Sequence, residues 1–326
     1  MRLGLVLWIA CGILPGLDES TTRAQPPAAP ASDTANPKSP APEAEVEKPT
    51  DKPTDKPTDK PTDKPTDKPT DKPAMSVYPL DAVVSSEGDV YIVDRNLPGV
   101  WQKRGDEINV LVQGSRRYRE PLNAARCLAL DRQGRLLIGD SSTREIYRID
   151  DQQKPQPLTG GAIGIPMDIA VRADGSLMVA DLETRTLLRV SPDGKEVKTV
   201  AKVNPRGVFV DAQDRTWVVS QDAQQLQIVD DEGKSQIIVD KRIFEFPHQV
   251  VVNAAGEAFV SDGYKKSIWK VVPGAAPAVV FTGAPLDNPV GLTLVDDQVV
   301  ITDPRAHSVF RLNGEKCELW FEVPAK

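Results

Sequence analysis

The chain has 326 residues, with 40 Lys and Arg against 47 Asp and Glu and a formal net charge of −7. That acidic balance argues against broad nucleic-acid binding, which needs a basic surface. Aromatic residues make up 5% of the chain and its apolar content comes largely from Val, Leu and Ile, which suit pleated sheets.

Residues 1–17 carry one basic residue, Arg2, followed by an apolar run over 3–14. The run is too short to span a bilayer and has the form of a secretory signal. Thr22-Arg23-Ala24 puts small residues where a signal peptidase reads, so residues 1–24 are expected to be removed after Ala24. The alternative, a lipid anchor on Cys11, fits poorly with Trp8-Ile9-Ala10 before it. Either way the mature protein is expected to be secreted, periplasmic or held at the cell envelope, with no transmembrane span.

Residues 25–74 begin rich in Pro, Ala and Ser and pass into a tetrapeptide repeat, Asp51-Lys52-Pro53-Thr54, that recurs through Thr70. A Pro every fourth residue removes backbone donors, and alternating Asp and Lys keep the segment solvated. The composition predicts a disordered, semi-rigid spacer of about 3 Å per residue where extended.

From residue 75 onward one pattern repeats. In 165–194 it reads as a Pro, an apolar strand MDIAV, an Asp-Gly turn at Asp174-Gly175, and a second apolar run over 177–180 ending on Asp181. A third run, LLRV, and a fourth, 197–200, complete four short strands joined by hairpins. Such a sheet, apolar on both faces, must be stacked between others. The second runs end at Asp94, Asp140, Asp181, Ser220, Asp262 and Asp303, spaced by 39 to 46 residues. Six residues beyond each lies an apolar residue: Val100, Ile146, Leu187, Leu226, Ile268 and Val309. The first strands align as YPLDAVV, AARCLAL, IPMDIAV, NPRGVFV, FPHQVVV and NPVGLTL.

Six four-stranded units with a period near 40 predict an all-β, six-bladed β-propeller over 75–326. The chain starts on an innermost strand and ends on an outermost one, so ring closure is expected from packing of blade 6 on blade 1. Cys127 and Cys317 fall on an inner and an outer strand of different blades, too far apart to bridge.

In this architecture the first-strand starts and the loops between second and third strands share one face, the default ligand site. The repeated Asp suits a structural role, its carboxylate accepting N–H groups of the loop that follows. Residues that break the repeat are more informative. Asp81 and Asp168 share a mouth position suited to Ca²⁺ coordination, although such a site takes six to eight oxygens. Arg126, Arg206, His248 and Gln249 complete the candidate ligand-binding set at the mouth, His248 also as a base or metal ligand. An insertion, QGSRRYREPL, lengthens the first interval; its Arg116, Arg117 and Arg119 around Tyr118 are suited to gripping an anionic group. No Ser-His-Asp set, phosphate loop or H-E-x-x-H helix is found.

The units GRLLIGDSSTREIYRI, GSLMVADLETRTLLRV and GEAFVSDGYKKSIWKV resemble NHL repeats, and the likeness covers 78–323. Ala306-His307-Ser308 before Val309 is similar to the Asn-His-Arg part of that motif. The resemblance implies a six-bladed propeller and leaves activity open. Gluconolactonase-type hydrolases share the plan and hold a divalent metal through a Glu, an Asn and an Asp; here Asp81 stands without a Glu and Met167-Asp168 replaces the expected Pro-Asn-Gly. The amidating lyases of the same plan use three zinc-binding histidines, which this chain lacks. The expectation is a monomeric, non-catalytic propeller that binds a small molecule, carbohydrate or protein on its channel face, with no cofactor. Alternatives are a metal-dependent lactonase-like hydrolase using Asp81, Asp168 and His248, and an extracytoplasmic sensor or scaffold.

Overall fold

The computed structural model describes residues 77–324. The leader, its cleavage after Ala24, the Cys11 anchor and the Pro-rich spacer lie outside the described residues. Six four-stranded antiparallel sheets follow one another as blades over 79–113, 125–157, 166–201, 205–239, 247–282 and 291–322. Each sheet keeps chain order from innermost to outermost strand, so the architecture is the six-bladed propeller that the period predicts. Among the described residues no helix is long and apolar enough to cross a membrane.

The reason for runs apolar at every position is visible in the core. Side chains alternate across a strand, and each blade has a neighbour on both faces. In the second strand of blade 3, Leu177 and Val179 pack with Cys127, Leu137 and Ile146 of blade 2. Met178 and Ala180 point the other way, against Val208 and Val218 of blade 4. The core is therefore six separate clusters, one between each pair of adjacent blades. Each fully buried Leu, Val or Ile contributes about 1.5–3 kcal/mol.

The ring closes by packing, with no strand exchanged among the described residues. Val300, Val309, Phe321 and Val323 of the last blade and tail meet Ala82, Ile92 and Trp101 of the first, joined by Val77 ahead of it. Cys127 and Cys317 are unbridged.

The repeated Asp is a loop clamp. Asp94 Oδ1 accepts the N–H groups of Tyr78, Asn96 and Leu97 at 2.9, 2.8 and 3.3 Å. Asp262 receives those of Glu245, Phe246 and Lys265, and Asp303 those of Asp287, Asn288, Arg305 and Ala306. Each carboxylate ties the segment entering its blade to the loop leaving its second strand. Ser220, the exception, accepts Asp222 N at 2.9 Å through its hydroxyl and does not bind the segment entering its blade; Gln225 accepts the N–H groups of Ile243 and Phe244, in the segment leading to blade 5.

Candidate functional site

The channel is shaped by the tops of the innermost strands. In blade 1, Pro79 pairs with Asp94 and Asp81 with Val93, which leaves Leu80 as an extra residue. The same irregularity isolates Arg126, Met167 and Arg206, and in blade 5 sets His248 and Gln249 opposite Ser261. A bulge re-aims a side chain out of the ladder. Leu80, Arg126, Met167, Arg206 and His248, with Val290 of blade 6, accordingly line one chamber of about 140 Å³ at the upper mouth.

The next residue of each strand forms a ring beneath that chamber. Asp81 accepts Ala82 N through Oδ1 and Leu128 N of blade 2 through Oδ2, both at 2.9 Å. Asp168 does the same with Ile169 N and with Val208 N of blade 4, again at 2.9 Å. Gln249 completes the set: its Oε1 accepts Leu292 N of blade 6 at 2.6 Å and its Nε2 donates to Asp168 Oδ1 at 3.1 Å. Long polar side chains on blades 1, 3 and 5 thus bridge to the backbones of blades 2, 4 and 6. The even blades carry Cys127, Gly207 and Gly291, and at the two glycines the neighbouring strand comes too close for a side chain. A Cβ on Gly207 would lie 2.6 Å from His248 O, and one on Gly291 2.8 Å from Leu80 O.

Asp81, Asp168 and Gln249 head a second chamber of about 260 Å³ that opens on the lower face between apolar strand ends. Burial raises the Asp81 carboxyl to about 7. It raises Asp168 too, and the nearby Asp81 charge adds to the effect. The donor set does not fit a resident Ca²⁺: all four carboxylate oxygens are engaged by main-chain N–H groups, and such an ion takes six to eight oxygens. Among the described residues no group of three or more His, Cys, Asp or Glu is placed to hold a metal ion. His248 lines the upper chamber while Asp81 and Asp168 line the lower, so the three do not surround one space.

The upper chamber is cationic. Arg95 and Tyr78 from blade 1 and Asn288 ahead of blade 6 join Arg126 and Arg206 in its wall. Among the described residues, no carboxylate lies within ion-pairing distance of Arg95, Arg126 or Arg206. Arg206 Nη2 donates to Gln221 Oε1 at 2.7 Å, while its Nε is buried without a partner. Burial lowers Arg126 from the ordinary guanidinium value, and the charges of Arg206 and Arg95 lower it further. Burial also holds the His248 imidazole down at about 4, reinforced by Arg126 and Arg206, so it is neutral at pH 7.

The QGSRRYREPL loop stands apart from both chambers. Its Arg116, Arg117, Tyr118 and Arg119 are exposed, and Leu122 anchors it in the core. Arg117 approaches Glu120 at 3.7 Å, Arg116 Nη2 donates to Asn96 O at 3.3 Å, and the Arg119 guanidinium lies 5.4 Å from the Tyr118 ring centre. Sequence reasoning did not single out Tyr78, Arg95 or Asn288. Their signal was present: each sits beside a repeated Pro or Asp, at positions the alignment brings to the mouth.

Residues 41–75 match the family model described as PT disordered repeat. Comparison with curated proteins finds no match. Solved structures share the architecture. Virginiamycin B lyase from Staphylococcus aureus has 13% identity and a TM-score of 0.59, covering 76% of this chain and 85% of that one. A chain of a nidogen/laminin complex has 17% identity and a TM-score of 0.59, with 74% and 91% covered. A gluconolactonase from Xanthomonas campestris has 17% identity and a TM-score of 0.55, with 76% and 87% covered. At these identities the likeness is one of fold.

Proposed function

We propose that this propeller, of NHL type, is a non-catalytic binding module that takes a ligand with a negative charge at its upper mouth. One observation carries the reading: three arginines share a single chamber with no carboxylate to neutralise them. Desolvated like charges are costly unless paired, and a carboxylate or phosphate between Arg126 and Arg206 supplies the missing partner with bidentate geometry. The protein is acidic overall, so a local cationic well is a departure that composition does not explain. The leader-like 1–24 and the spacer that follows support placing this module outside the cytoplasm.

Titration calorimetry with acetate and inorganic phosphate at low salt tests the reading. Arg126→Ala with Arg206→Ala should weaken binding at least about tenfold, the scale of one lost charged hydrogen bond. Binding that is undiminished in the double variant would move the ligand elsewhere.

A further inference from the structure

The arginines are not the only unusual feature of this mouth. Phe246, immediately before the blade 5 Pro, lies against two chamber residues at once. Its ring centre is 4.9 Å from that of His248, tilted at 59°, and the Arg206 guanidinium sits 5.6 Å from it. On its other side Tyr264 meets it edge-on, 5.1 Å away at 88°. Tyr264 is 69% exposed, an unusual setting for a large apolar ring.

Asp262 ties the two segments together, accepting the N–H groups of Phe246 at 3.0 Å and of Lys265, next to Tyr264, at 3.4 Å. The loop between them is tight: a Cβ on Gly263 would lie 2.6 Å from Asn288 Oδ1 and 2.8 Å from His248 Nε2. The aromatic pair therefore stands beside Arg206 and His248. Within the chamber Leu80, Met167 and Val290 supply an apolar wall, and Tyr78, Gln249 and Asn288 a polar one. The chamber, of about 140 Å³, suits a small ligand, and Phe246 and Tyr264, which are not in its lining, adjoin it through Arg206 and His248.

Resting on the anion-binding reading, we propose that the ligand is an aromatic acid, its carboxylate between Arg126 and Arg206 and its ring against the Phe246–Tyr264 shelf. Rings stack edge-to-face or offset on such a surface, and a planar carboxylate matches the guanidinium forks. A simple aliphatic acid satisfies the charge and leaves the shelf bare. A hydroxylated sugar acid would turn to the polar wall of Tyr78, Gln249 and Asn288 and would also leave the shelf bare.

The test is calorimetry with benzoate, acetate and glucuronate against the full chain, Phe246→Leu and Tyr264→Ala. Benzoate should bind about tenfold more tightly than acetate. Each shelf variant should cut benzoate affinity about three- to tenfold while leaving acetate unchanged. Equal affinity for benzoate and acetate, or a preference for glucuronate, overturns the aromatic assignment and leaves the anion site standing. If acetate and benzoate both fail to bind the unaltered protein, the anion reading itself falls.

Discussion

At the residue scale the telling feature is that burial shifts two carboxyls and an imidazole of the channel in opposite directions. Asp81 is held at about 7 by burial, and Asp168 is raised too, so each folded carboxyl keeps a proton that the unfolded chain gives up near 3.8. Their contribution is therefore fully present below 3.8 and is lost as pH rises through the folded values, at up to about 1.4 kcal/mol per pH unit per group. His248 has the opposite sign. Its value falls from 6.5 to about 4, so its contribution is present above 6.5 and is lost as pH drops toward 4. Stability measured by urea unfolding should be higher at pH 5 than at pH 8. Asp168→Asn should shrink that difference and His248→Gln should enlarge it. Identical differences in all three proteins would mean that these groups titrate as they do in the unfolded chain.

At the scale of the element, the innermost strand does two jobs in successive residues. The bulged residue faces the mouth, and the next one either bridges to the neighbouring blade or makes room for it. Gly207 makes room without needing an unusual backbone conformation, so Gly207→Ala isolates the steric demand. Its Cβ would be 2.6 Å from His248 O and 2.7 Å from Gln249 Cα, both main-chain atoms that cannot swing away. Overpacking of this kind costs about 1–3 kcal/mol, which a shift in the urea midpoint at constant slope would register. An unchanged or raised midpoint would show that blades 4 and 5 can separate there freely.

At the scale of the molecule the ring depends on its last strand. Phe321 and Val323 close the sixth interface onto Val77, Ile92 and Trp101, and among the described residues no exchanged strand holds the ends together. Phe321→Ala should therefore cost about 3–5 kcal/mol, the range for a buried aromatic, and a loss below about 1 kcal/mol would show that closure does not depend on that contact.

Blade number, strand order, packing closure and the clamping role of the repeated Asp were all legible in the sequence. They follow from local rules: strand period, turn chemistry and a repeat spacing that leaves one way to bury both faces of every sheet. The candidate site was only half legible. Alignment brought Leu80 through Gly291 to the channel as adjacent pairs, such as Arg126 with Cys127 and His248 with Gln249. It did not show that a bulge splits the pairs of blades 1 to 5, sending Arg126, Arg206 and His248 up while Asp81, Asp168 and Gln249 turn inward to the next blade. That division depends on how closely adjacent strands approach the axis, a distance set by six blades together. The same holds for charge: Arg126, Arg206 and Arg95 stand far apart in the chain, and only the closed ring makes them neighbours without a counterion.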